Sequence, residues 1–115
     1  MLASRKQASV EAVAESIRAN GGDALAVAAH SGEDTAVAAL VQQAIDAYGG
    51  VDIVVNNAGI DCESPVVDLD IDLLDRCLAV NVRAPLLLCK FALPSMLAQR
   101  SGSIFCITSG AARAY

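Results

Sequence analysis

The stretch Val51-Asp52-Ile53-Val54-Val55-Asn56-Asn57-Ala58-Gly59 decides the fold class. Residues 51–55 are an apolar run rich in β-branched side chains, the signature of a strand buried on both faces. The run breaks at once into small and polar residues, so the strand ends in a tight turn. A strand covered on both faces needs helices beside it, and helical patterns stand on either side.

Upstream, Val37, Leu40, Val41, Ala44, Ile45 and Tyr48 form a helical stripe, and Gly49-Gly50 closes it. Ser31 and Asp34 have the spacing of a capping box at its start. Before that, residues 24–29 read as a short buried strand. Residues 9–20 read as a helix with Val10, Val13, Ala14 and Ile17 on one face, stopped by Gly21-Gly22. Residues 1–4 fit the tail of an earlier strand. Downstream, a loop with Ser64-Pro65 leads to a long helical region starting near Asp70. Pro85 and Pro94 are expected to bend or interrupt it. Residues 103–107 form a last strand, which runs into Thr108-Ser109-Gly110. Strands alternating with helices give an α/β fold with a parallel sheet.

Composition excludes several function classes. The chain has 115 residues, 55% hydrophobic and 18% charged, which suits one domain rather than two and excludes a disordered chain. A net charge of −5 leaves no basic stripe for nucleic acid. No charge-free run approaches the roughly 18 apolar residues of a membrane span, and no secretory signal is visible. Cys62, Cys77, Cys89 and Cys106 form no CxxC pair, so reduced thiols are expected and no metal site. These features point to a cytoplasmic protein; an organellar address in a segment outside these residues is compatible with them.

The functional signal lies in where the polar residues fall. Each strand is apolar and each ends in a polar or small cluster: Ser4-Arg5-Lys6, His30-Ser31-Gly32, Asn56-Asn57-Ala58-Gly59 and Thr108-Ser109-Gly110. In an open parallel sheet, ligands bind beyond the carboxyl ends of the strands. Several such ends on one rim suit an extended, multi-part ligand such as a dinucleotide.

Three segments carry a family resemblance. Asp52-Ile53-Val54-Val55-Asn56-Asn57-Ala58-Gly59 resembles the D-x-x-V-N-N-A-G segment of the short-chain dehydrogenase/reductase family. Asn81-Val82-Arg83-Ala84-Pro85 resembles the N-V/L-R/K-x-P segment of its fifth helix. Gly102-Ser103-Ile104-Phe105-Cys106-Ile107-Thr108-Ser109 resembles the strand that delivers its catalytic serine. Order and spacing match across essentially the whole chain. Ser4-Arg5-Lys6-Gln7 and His30 are similar to an NADP(H)-using carbonyl-reductase branch.

The resemblance implies a Rossmann-like doubly wound sheet and hydride transfer between a nicotinamide cofactor and a small carbonyl or alcohol. It assigns Ser109 to the substrate oxygen and Asn81 to a water in a proton relay. Taken alone, Ser109 reads as a turn or cap residue and Asn81 as a polar residue at a helix break. Asn56, Ala58 and Gly59 would line the cofactor's ribose and nicotinamide side; the bland alternative is a plain turn. Ala3 and Ser4 occupy the region where NAD-preferring relatives carry an acidic residue, and Arg5-Lys6 follow. A guanidinium suits a 2′-phosphate, so NADP(H) is expected over NAD(H). The alternative is a solvated basic pair at a helix start. His30 stands where the family has an aspartate near adenine, and Ser31 would contact adenine through its backbone.

The family's glycine-rich turn and its Y-x-x-x-K pair are absent from these residues. Tyr115 lies too near Ser109 to be that tyrosine. Residues 1–115 are therefore expected to form an incomplete Rossmann-type domain, inactive alone, with a gap where the first strand belongs. The whole protein would be a homo-oligomer. The rival reading is a non-catalytic short product that associates with a full-length relative through Leu86, Leu87, Leu88, Phe91 and Met96.

Overall fold

A computed structural model describes residues 1–110. The elements run β1 (Leu2–Ser4), α1 (Gln7–Ala19), β2 (Ala26–Ala28), α2 (Asp34–Tyr48) and β3 (Ile53–Asn56). A short 3₁₀ turn (Val66–Asp68) precedes α3 (Ile71–Leu78), a π turn (Ala79–Arg83), α4 (Ala84–Gln99) and β4 (Ser103–Cys106). The α/β alternation expected from the sequence is present. Tyr115 lies outside the described residues.

The strands form two separate two-stranded sheets, β1–β2 and β3–β4, both parallel. No strand bridges them among the described residues. The molecule is correspondingly open: its radius of gyration is 15.9 Å, against about 13 Å for a compact chain of this length.

The main core lies where α2 and α4 pack together over β3. Val41, Val54, Ala92 and Met96 are buried there, with Ile45, Val51, Leu88, Phe91 and Ile104 against them. A smaller cluster holds α1 to β1 and β2 through Val10 and Ala14. The opposite face of β3–β4 is bare: Ile53, Val55 and Phe105 are more than half exposed.

Several boundaries differ from expectation. The capping box does not form. Glu33 is the N-cap of α2 without a side-chain bond, because Ser31 is held in a turn closed by Glu33 N–H donating to the His30 carbonyl at 3.1 Å. Asp70 does cap α3, accepting from the Asp72 amide at 2.9 Å. Gly49 ends α2 with φ of 81°, as its position suggests. β3 starts later than expected, at Ile53 opposite Ser103, where β4 begins; the Val51 carbonyl accepts from Gln99 Nε2 at 3.0 Å.

Neither proline breaks the long helix. Pro85 sits in the first turn of α4, where its missing N–H costs little, and Pro94 lies inside α4, which continues to Gln99. The irregularity is the π turn before Pro85. The whole run Ile71–Gln99 has 29 residues and mean hydropathy 1.4, long and apolar enough to cross a membrane by length and composition. It contains no long charge-free run, because Asp72, Asp75, Arg76, Arg83 and Lys90 interrupt it. It buries Ala84, Leu87, Ala92 and Met96 inside the protein, as a core helix does.

Candidate active site

The two sheets leave a cleft of about 640 Å³ between them. Its walls include Ala3 and Ser4 of β1 and Ile53, Val54, Val55 and Asn56 of β3. Its floor is the apolar face of α2, with Val37, Leu40, Val41 and Ala44. The ends of β1, β2 and β3 all open onto it.

Most of the candidate residues meet here. Ser4 and Arg5 come from the end of β1, His30 and Ser31 from the end of β2, and Asn56, Ala58 and Gly59 from the end of β3. Lys6 is outside the lining; it is the exposed N-cap of α1. Ser109 lies beyond β4, exposed and outside the lining, with an interaction of its own. Sequence reasoning missed Arg76 and Val80, which line the cleft from the far side. Arg76 lies on α3 and Val80 in the π turn after it, and which of these residues reach a strand end depends on packing.

Arg5 is exposed and makes no ion pair among the described residues. Its guanidinium therefore stands at the cleft without a carboxylate. The arginines on the far side are engaged: Arg76 with Asp70 at 3.9 Å, and Arg83 with Asp34. The Arg83–Asp34 pair ties the π turn to the start of α2, a contact with no local sequence signal. His30 is exposed and turned inward on its own loop, with Nδ1 accepting from the Gly32 amide at 3.2 Å.

Asn56 is 6% exposed, and its Oδ1 has no hydrogen-bond partner. A buried carbonyl without a donor is costly, so this atom marks where a further donor belongs.

Asn81 does not line the cleft but holds a segment that does. Its Oδ1 accepts from the Ile60 amide at 3.0 Å, and its Nδ2 donates to the Ile60 carbonyl at 2.8 Å. The side-chain amide thus pairs with the loop as a strand would. A Cβ on Gly59 would meet Asn81 Oδ1 at 3.6 Å, ordinary contact, so the loop passes close to it. Pro85 has no N–H, so the α-helical bond to the Asn81 main-chain carbonyl cannot form. π turns of this kind gather at functional sites.

Two thiols meet at this loop, Cys62 within it and Cys77 on α3. Cys77 is 3% exposed, with Sγ 4.0 Å from the Ile60 carbonyl. Burial pushes its thiol up to about 11, and the hydrogen-bonded Cys62 thiol adds to the shift.

The short chain dehydrogenase family model matches residues 1–115. The chain belongs to this family. A short chain dehydrogenase/reductase of Colletotrichum higginsianum, dpchG, is 41% identical over 108 residues, covering 91% of this chain and 40% of the relative. The 3-oxoacyl-[acyl-carrier-protein] reductase FabG of Staphylococcus aureus is 32% identical over 99 residues, covering 86% and 40%. This chain thus spans about two fifths of these curated relatives. Among solved structures, a metagenomic short-chain oxidoreductase in complex with NADP matches with TM-score 0.89 and 34% identity, over 94% of this chain and 49% of the other. NAD+-bound xylitol dehydrogenase matches with TM-score 0.92 and 26% identity, over 98% and 44%. The two-sheet arrangement is accordingly a partial Rossmann fold of a short-chain dehydrogenase.

Proposed function

We propose that residues 1–115 form the nucleotide-facing part of an NADP(H)-dependent oxidoreductase that interconverts a small carbonyl compound and its alcohol. The carrying observation is Arg5, a cation without a partner, at a cleft where the ends of β1, β2 and β3 converge. A 2′-phosphate supplies the bidentate anion such a guanidinium suits. Ser4 and Lys6 flank it; His30 and Ser31 would border the adenine.

Asn56, Ala58 and Gly59 would line the ribose and nicotinamide side, where small residues allow close approach. The unpartnered Asn56 Oδ1 fits a group that brings a donor. When bound, the cofactor supplies the hydride. Ser109 would hold the substrate oxygen, since a hydroxyl both donates and accepts. Asn81 has its side chain occupied by Ile60, so its main-chain carbonyl is the group left to hold a relay water.

We read the whole protein as a cytoplasmic homo-oligomer acting on small molecules, with no nucleic-acid or membrane partner. Residues 1–115 alone should not oxidise NADPH with any carbonyl compound; robust turnover would overturn that. Cofactor choice is tested by placing Ser4–Gln7 into an intact relative and titrating NADPH and NADH. NADPH should bind about tenfold tighter, the worth of one charge-assisted contact; tighter NADH binding would refute the assignment.

A non-catalytic role, pairing with a full-length relative, is favoured by one observation. α4 exposes Leu86, Leu93 and Leu97. Of the side chains expected to form that surface, Leu87 and Met96 are buried and Leu88 and Phe91 pack in the core; only Leu86 remains available. Co-purification with a full-length relative, lost on changing Leu86 and Leu97 to Lys, would support this reading.

A further inference from the structure

We propose that Cys62 and Cys77 are a peroxide-sensitive dithiol, which closes to an intramolecular disulfide and fixes the loop after β3 to α3. Position defines the pair. Cys77 is buried on α3, with Sγ 4.0 Å from the Ile60 carbonyl. Cys62 lies two residues past Ile60, partly exposed, and its thiol is hydrogen-bonded to that of Cys77. Sulfurs in such contact reach bonding distance by side-chain rotation and a small loop shift. The fold disfavours the other helical pairing. Cys77 and Cys89 stand on one continuous helical run, and their separation of 12 residues places them about 18 Å apart along its axis. Cys106 ends β4, opposite Asn56. Ring size alone would not choose Cys62–Cys77, since consecutive cysteines are 15, 12 and 17 residues apart.

Exposure divides the roles. Cys62 meets solvent, so its thiolate attacks a peroxide oxygen. The O–O bond breaks, Cys62 becomes a sulfenic acid, and the departing hydroxide takes a proton to become water. The Cys77 thiolate then attacks the Cys62 sulfur; the S–O bond breaks, the S–S bond forms and a second water leaves. Two thiols give up two electrons and one peroxide becomes two waters. Before oxidation Cys77 holds its proton, through burial first and then through the Cys62 thiol. Sulfenic acid formation removes the Cys62 share, while Arg76 favours the Cys77 thiolate and Asp61 opposes it. Cys77 is thus released to act once Cys62 has reacted. The loop matters because Ala58, Gly59 and Ile60 line the cleft and Asn81 clasps it at Ile60. A covalent tie two residues past that clasp suppresses opening, so oxidation fixes this wall of the cleft. The pairing does not depend on which cofactor the cleft takes.

The test treats the full chain with one equivalent of hydrogen peroxide, blocks the remaining thiols by alkylation and maps the links after trypsin. Cleavage at Lys and Arg parts the four cysteines into residues 19–76, 77–83, 84–90 and 101–113, so every pairing is distinguishable. The Cys62–Cys77 link should dominate, within one chain, with Cys89 and Cys106 alkylated, and a small dithiol should reverse it. In concentrated urea the preference should vanish and other pairs appear. Residue-resolved amide exchange should slow at Ile60 by about tenfold or more on oxidation. Cys62→Ser should leave Cys77 unoxidised by the same dose. A dominant link elsewhere or between chains, the same pairing preference in urea, or Cys62 passing to sulfinic acid without a link would overturn the proposal. Unchanged or faster exchange at Ile60 in the linked protein would overturn the locking of the loop.

Discussion

Asn81 earns its place through two hydrogen bonds to one residue, Ile60. Asn81→Ala should release the loop after β3, raise amide exchange at Ile60 and cost about 1–2 kcal/mol in denaturant unfolding. Unchanged exchange at Ile60 would contradict this positioning role. Cys77 supplies a pH signature. Its folded pKa of about 11 lies above the ordinary 9.0, so the folded state holds the proton more tightly. The stabilisation is complete below pH 9 and lost as pH rises from there towards 11. Cys77→Ala should flatten that part of the stability profile, read by urea titration at a series of pH values. At this scale the sequence revealed residue types and strand ends well. Asn56, Gly59 and Arg5 fall where strand ends must gather. The Arg83–Asp34 pair and the Asn81–Ile60 clasp were not visible, because each joins elements whose approach depends on three-dimensional packing.

Among the elements, β4 depends on how tightly its start passes α4. A Cβ on Gly102 would come within 2.5 Å of Met96 Cγ, and Met96 is part of the main core. Gly102→Ala should therefore cost about 1–3 kcal/mol by overpacking, measured by thermal or urea unfolding; a neutral effect would show that the turn can shift. Element types and order were legible because period and punctuation agree: glycines after α1 and α2, β-branched runs in the strands. The π turn was not. It lies just before Pro85, between α3 and α4, and hydrophobic spacing carries no trace of one extra residue in a turn. The capping box failed for a similar reason: Ser31 has the right spacing, but the turn at His30 places the helix start later.

At the scale of the molecule, the central fact is a parallel sheet in two halves with an apolar-floored cleft between them. The gap was legible from the absence of a glycine-rich first strand; its open geometry was not, because a sequence does not say whether two half-sheets close or stay apart. α4 packs on α2 and β3 while α1 carries β1 and β2, so each half-sheet has its own helical support. The most direct measurement is a residue-resolved NMR titration of the chain with 2′,5′-ADP and, separately, 5′-ADP. The account predicts shifts at Ser4, Arg5, His30 and Ser31, with 2′,5′-ADP binding about tenfold tighter and Arg5→Ala abolishing the difference. Equal or tighter binding of 5′-ADP, or shifts confined to residues away from these strand ends, would contradict it.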